Sequence, residues 1–112
     1  MSRDKYIMKH YIFILNDLSR DQFVCILNSL NSKQARIILD ILHNLTYNPD
    51  IGLSNKQKLQ LKPHKLAIEE LLSSKISLNK KRTKLIPSNV NLIIKSLKII
   101  SKIDDIHQIV YG

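Results

Sequence analysis

The segment Ser88-Asn-Val-Asn-Leu-Ile-Ile-Lys-Ser-Leu-Lys-Ile-Ile-Ser-Lys-Ile103 decides the fold of this chain. Its apolar residues recur at spacings of three and four, which is the period of one face of an α-helix. This stripe consists of Val90, Ile93, Ile94, Leu97, Ile100 and Ile103. The other side of the same helix carries Lys95, Lys98 and Lys102. We therefore predict a helix at about 89–103 that is capped by Ser88. The apolar face of this helix is expected to pack into the protein's own core.

The remaining composition also favours helices. Leu and Ile dominate an apolar fraction of 44%, and the only glycines are Gly52 and Gly112. A β-rich fold needs turn glycines at short intervals, so this chain is poorly suited to one. At 112 residues it is long enough for one core with little to spare. We predict an all-α fold, a compact single domain of five or six short-to-medium helices over residues 1–112.

Capping residues and prolines predict where the earlier helices begin and end. Ser19 with Gln22 forms a capping box, Asn31 or Ser32 starts the next helix, and Ser54 and Ser77 precede later ones. The predicted helices before the last one cover about 4–17, 20–30, 32–47, 55–61 and 63–74. A further helical turn or two is predicted over 78–86, ended by Pro87. The turn Asn48-Pro49-Asp50-Ile51-Gly52 separates a near-neutral half, 1–47, from a basic half, 55–112, with the loop at 48–54.

The basic half indicates the class of partner. The net charge is +9, and the stretch 56–84 contains nine Lys and Arg but only two acids, Glu69 and Glu70. Such an imbalance attracts nucleic acid or an anionic membrane surface. No aromatic residue lies between Tyr47 and Tyr111, which favours phosphate contacts with duplex DNA, without sequence readout, over stacking on single strands. The residues predicted to bind, as one basic surface, are Lys56, Lys58, Lys62, Lys65, Lys80, Lys81, Arg82 and Lys84.

Other interpretations of these patterns stay open. Residues 81–84 also fit a short nuclear-localisation pattern, and any lysine cluster can simply be a solvated face. Residues 19–46 fit a helix-turn-helix in which Lys33, Gln34 and Arg36 would face base edges. The main alternative function is a protein-interaction or assembly module that uses the apolar faces of the first and last helices for a partner or for self-association.

Catalysis is not expected, and neither is a cofactor or a metal. The four histidines are scattered, and none stands at metal-ligand spacing from Cys25 or an acid. Cys25 lies among Val24, Ile26 and Leu27, where a small buried core residue is the expected role. The apolar stretch at 11–15 is too short for a signal peptide or a membrane span. We therefore expect an intracellular, soluble protein without a transmembrane segment.

One stretch of the chain resembles a known family. The features are Asn44, the loop Ile51-Gly52-Leu53-Ser54, the stretch Gln57-Lys58-Leu59, the Leu-rich segment 66–72, and Ile76-Ser-Leu-Asn-Lys-Lys-Arg82. In this order, over about residues 42–85, they resemble a small basic protein of virus-like DNA transposons of the Polinton/Maverick and adintovirus type. Members of that family usually continue with Gly-Gly and an apolar tail, where this chain has Pro87-Ser88 and a lysine-bearing helix. The resemblance implies a viral or transposon-encoded accessory protein that binds or condenses DNA, and it implies no catalytic residue. The expected location is the nucleus or the virion.

Overall fold

The structure, a computed structural model, describes residues 14–101, which are predominantly helical and contain no strand. The all-α prediction is confirmed. Two 3₁₀ turns, Pro49–Ile51 and Lys62–His64, join helices in the middle of the chain. The helices are α1 (Arg20–Leu27), α2 (Ser32–Tyr47), α3 (Asn55–Leu61), α4 (Lys65–Leu71), α5 (Leu78–Lys80 with the π-helical turn Lys81–Leu85 and then Ile86–Ser88) and α6 (Val90–Ser101). The predicted first helix at 4–17 falls almost entirely outside the described residues, as do Lys102 and Ile103.

Reciprocal side-chain caps set the starts of α1, α2 and α3. In each, the cap accepts the backbone N–H of the glutamine three residues later, and that glutamine accepts the N–H of the cap. The pairs are Ser19 with Gln22, Asn31 with Gln34, and Ser54 with Gln57. Ser77 caps α5 through the N–H of Lys80, at 3.2 Å. The helix starts predicted from these caps are therefore confirmed, and each cap contributes about 1 kcal/mol.

The last helix is the centre of the core. Leu92, Ile93, Leu97, Ile99 and Ile100 of α6 are buried, and Val90 and Ile94 are half-buried against the same cluster. The helix α2 contributes six buried residues to this cluster, and both α2 and α3 contact α6. The predicted stripe is thus correct but too narrow, because α6 also buries Leu92, Ile99 and Ser96. The Ser96 hydroxyl donates to the carbonyl of Leu92 at 2.9 Å, so its polar atom is satisfied inside the core.

The expectation that Pro87 ends the fifth helix is wrong. The helix passes through Pro87 to Ser88, and the break comes at Asn89, so Ser88 does not cap α6. The π-helical turn explains this, since the N–H of Ile86 donates to Lys81, five residues back, and widens the helix just before the proline. The carbonyl of Leu85 is then satisfied by two side chains, Ser88 Oγ at 3.0 Å and Asn89 Nδ2 at 2.7 Å.

Two further burial predictions are corrected. Cys25 is exposed, because α1 turns Phe23 and Leu27 into the core and Cys25 lies on the other side of that helix. The spacing of apolar residues predicts Leu59 as an anchor of the helix at 55–61 and Leu66 on the apolar face of the helix at 63–74, but they are 63% and 79% exposed. The tighter turn at Lys62–His64 changes the register between α3 and α4, and the core residues there are Leu61, Ile68 and Leu71.

Candidate functional site

A lysine-rimmed groove lies between the end of α2 and the α3–α4 pair. Its volume is about 290 Å³. Lys58, Lys62 and Lys65, here named the groove lysines, line it at the spacing of four and three residues that keeps side chains on one face of a helix. The turn at Lys62–His64 joins α3 directly to α4, and the lysines before, in and after this turn all line the groove.

The bottom of the groove is apolar. Leu45, Leu61 and Ile68 are more than nine-tenths buried there, and Leu53 from the preceding loop is half-buried. Glu69 is the single acid in the lining, against the three groove lysines. A second depression of about 380 Å³ shares Lys58 and the end of α2 with the groove and extends it towards the loop at 48–53. The site therefore combines an apolar bottom with a cationic edge, a combination suited to an anionic ligand that also has an apolar surface.

Tyr47 forms part of the wall of both depressions. It is the last residue of α2 and is 56% exposed. Its ring lies against the ring of His43, one helical turn earlier, with centroids 5.3 Å apart and a tilt of 51°. Along the sequence no aromatic residue lies among the lysines, because Tyr47 precedes the basic stretch. The fold brings Tyr47 into the same groove as the lysines. The loop, with Gly52 at φ +62°, returns the chain so that α3 lies next to the end of α2.

Four of the five other predicted binding residues lie on α5, and none of these four lines the groove. Lys80 and Lys84 are exposed, whereas Lys81 is half-buried. Arg82 is half-buried and engaged inside the molecule: its guanidinium donates to the carbonyl of Leu30 at 3.0 Å and to Asn79 Oδ1 at 2.7 Å. Its Nε is buried without a hydrogen-bond partner. Arg82 thus ties α5 to the connection between α1 and α2, and few of its donors are directed to solvent.

The predicted binding residues are therefore gathered into two groups. Arg82 fixes the α5 group next to Leu30, just before α2 begins, and the groove lysines lie beside Leu45 to Tyr47, where α2 ends. With 16 residues at 1.5 Å each, α2 is about 24 Å long, and Leu30 and the groove lie at its opposite ends. Lys56 is exposed in the first turn of α3, outside the groove lining.

The residues of the helix-turn-helix interpretation lie at the start of α2. Lys33 and Arg36 are exposed. Gln34 is engaged in its capping box, with Oε1 accepting from the N–H of Asn31 at 3.0 Å. Reading a base with this side chain would break the cap of α2.

The perturbed titrating groups lie outside the groove lining. Partial burial, and then the nearby charge of Lys95, lower the pKa of His64, whose Nε2 is 3.2 Å from Lys95 Nζ. The neutral ring therefore accepts a hydrogen bond from the ammonium group. Partial burial raises the pKa of Asp40, although His43 and Arg36 oppose the shift. Within residues 14–101, no group of three His, Cys, Asp or Glu is placed to hold a metal ion.

Comparisons of the chain with protein-family models, with curated proteins and with solved structures find no match. Among the described helices, none has the length and apolar character needed to cross a membrane.

Proposed function

We propose that this protein is a non-enzymatic nucleic-acid-binding protein that acts mainly by neutralising phosphates. The observation that carries the proposal is the convergence of Lys58, Lys62 and Lys65 on one groove. A net charge of +9 and the exposed lysines of α5 add to the attraction. Ammonium groups on a shared face meet successive phosphates without any need to read the bases.

The expected strength follows from counterion release. Six of the predicted lysines are exposed: Lys56, Lys58, Lys62, Lys65, Lys80 and Lys84. If all six meet phosphates of duplex DNA, the logarithm of the binding constant falls with that of the salt concentration with a slope of about −5. Arg82 adds little to this slope, because its donors are bound to Leu30 and Asn79.

The test is a titration of random duplex DNA, followed by fluorescence anisotropy, at two salt concentrations. A variant with all three groove lysines changed to Gln should bind more weakly and lose about three units of the slope if each meets one phosphate. The matched control changes Lys33, Arg36 and Lys75 to Gln, which removes the same charge from exposed positions outside the groove. No binding of the wild-type protein at low salt would refute the proposal, and an equal loss in both variants would refute the assignment to the groove.

An anionic membrane surface is the competing partner for the same charges. Leu59 and Leu66 are exposed next to Lys58 and Lys65, and such a pattern also suits contact with lipid. The groove favours nucleic acid, since its apolar surface is concave and lies beneath the lysines. Sedimentation with vesicles that contain anionic lipid, run beside the DNA titration, separates the two: binding to vesicles alone would refute the proposal.

The interaction-module alternative has less support within residues 14–101. It needs the apolar face of α6, but that face is buried against α2. The viral or transposon origin remains a prediction that depends on the resemblance alone. A location in the nucleus or the virion also remains a prediction, and for the nucleus it depends on the localisation pattern at 81–84.

A further inference from the structure

The groove has an apolar bottom and an aromatic wall, and phosphate binding requires neither. An apolar bottom and an exposed aromatic wall add nothing to the attraction between lysines and phosphates. The expectation of duplex DNA depended on the absence of aromatic residues among the lysines. The fold removes that premise, because Tyr47 and the groove lysines line the same groove.

We propose that the groove binds an unpaired nucleotide, so that the protein's ligand there is single-stranded nucleic acid. The base lies against the ring of Tyr47 and over Leu45, Leu61 and Ile68, and the flanking phosphates lie at the groove lysines. This inference rests on the proposed nucleic-acid binding and adds the class of strand. A base inside a duplex has both faces covered by its neighbours, whereas an unpaired base presents an apolar face to such a surface.

The dimensions and the surroundings of Tyr47 fit this ligand. A groove of about 290 Å³ has room for one nucleotide rather than a double helix. Lys58 and Lys65 are seven residues apart, so they extend along about 10 Å of helix, enough for more than one phosphate. Tyr47 is held at the helix end by its contact with His43, yet more than half of it is exposed, which leaves ring surface accessible to a base.

The charge of the groove also selects the ligand. Three lysines against Glu69 give an excess of positive charge, so a neutral apolar molecule would leave the ammonium groups without a partner. A fatty or membrane ligand would satisfy the charge but has no flat ring to stack on Tyr47. A nucleotide satisfies the aromatic wall, the apolar bottom and the cationic edge together.

The first experiment uses Tyr47→Trp, which introduces the only tryptophan in the chain. Oligothymidylate should quench its emission by stacking, while an abasic oligomer of the same length and charge should bind through its phosphates without quenching. Quenching by oligothymidylate alone supports the inference. Equal emission changes with both oligomers overturn it.

The second experiment compares two substitutions of Tyr47 by anisotropy, with the melting temperature as a check of folding. Tyr47→Leu keeps an apolar side chain but loses the ring, and should bind oligothymidylate about tenfold more weakly. Its binding to the abasic oligomer and to duplex DNA should not change. Tyr47→Phe retains a ring and should bind as the wild type does.

The outcomes separate this inference from the function on which it rests. If Tyr47→Leu binds every oligomer as the wild type does, while the loss of the groove lysines weakens binding, the unpaired nucleotide is refuted and phosphate binding stands. If the wild type binds no nucleic acid at low salt, or binds only anionic vesicles, both proposals are refuted.

Discussion

Replacing Arg82 by Met should destabilise the fold, although the residue lies within the basic run and most of its neighbours are exposed. The guanidinium donates to the part-buried carbonyl of Leu30, and Met has no donor to replace it. The stem of Met is similar in length to that of Arg, so much of the packing against the α1–α2 connection is retained.

The size of the effect follows from three contributions. Losing a hydrogen bond from a charged donor to a part-buried carbonyl costs about 1.5–3 kcal/mol. Losing the exposed hydrogen bond to Asn79 adds at most about 0.5 kcal/mol to this cost. The substitution also removes the buried Nε, which has no hydrogen-bond partner, and this stabilises the variant by about 1 kcal/mol. We expect a net loss of about 2 kcal/mol, or a fall of about 8 °C in the melting temperature of a domain of this size.

Thermal unfolding followed by circular dichroism is the assay, and Lys84→Met is the matched control. Both variants remove one positive charge from α5, but Lys84 is exposed, and its substitution should change the melting temperature by less than about 2 °C. If Arg82→Met melts as Lys84→Met does, Arg82 does not tie α5 to the rest of the fold, and the reasoning from its contacts is wrong.

Two other predictions concern a titrating group and a loop conformation. Because folding lowers the pKa of His64 from its usual 6.5, the unfolded chain takes up the proton more readily, and the free energy of unfolding should fall as the pH drops from 7.5 to 5.5. Denaturant titrations at the two pH values should show a smaller difference in the free energy of unfolding for His64→Gln than for the wild type. An equal difference would contradict the assignment of this pH dependence to His64. Gly52→Ala should lose about 1–2 kcal/mol, since φ is +62° and an added Cβ meets nothing within 4 Å, so the backbone conformation is the only cost. Gly52→Asn, which adopts this conformation more readily, should lose less, and equal melting of all three proteins would refute this explanation.

Local signals in the sequence predicted the helices well. The capping box at Ser19 and the N-caps at Asn31 and Ser54 are confirmed, because a cap depends only on residues a few positions apart. The prediction that Pro87 ends a helix is wrong because it used the proline alone. Whether a proline ends a helix also depends on the hydrogen bonding of the turn before it. The π-helical turn at Lys81–Leu85 has no sequence signal that separates it from an ordinary turn.

The site was only partly predictable. The sequence identified the lysines, because charge density is visible along the chain. Nothing along the chain distinguishes the structural role of Arg82 from that of the neighbouring lysines, because the Leu30 carbonyl to which it donates is 52 positions away. Tyr47 was missed because its proximity to Lys58, Lys62 and Lys65 is created by the fold. The periodicity that predicts a helix does not indicate which other helix will lie beside it.

The length of α2 sets a minimum size for any nucleic acid that contacts both basic groups at once. The groups lie at opposite ends of this helix, which is about 24 Å long, is packed into the core and does not bend easily. Along one strand of nucleic acid with about 3.4 Å between successive phosphates, that separation corresponds to about seven nucleotides. Shorter fragments reach one group only, whereas longer ones gain the second contact without ordering a flexible linker. The helix that supplies six buried residues to the core thus also sets the distance between the two contacts.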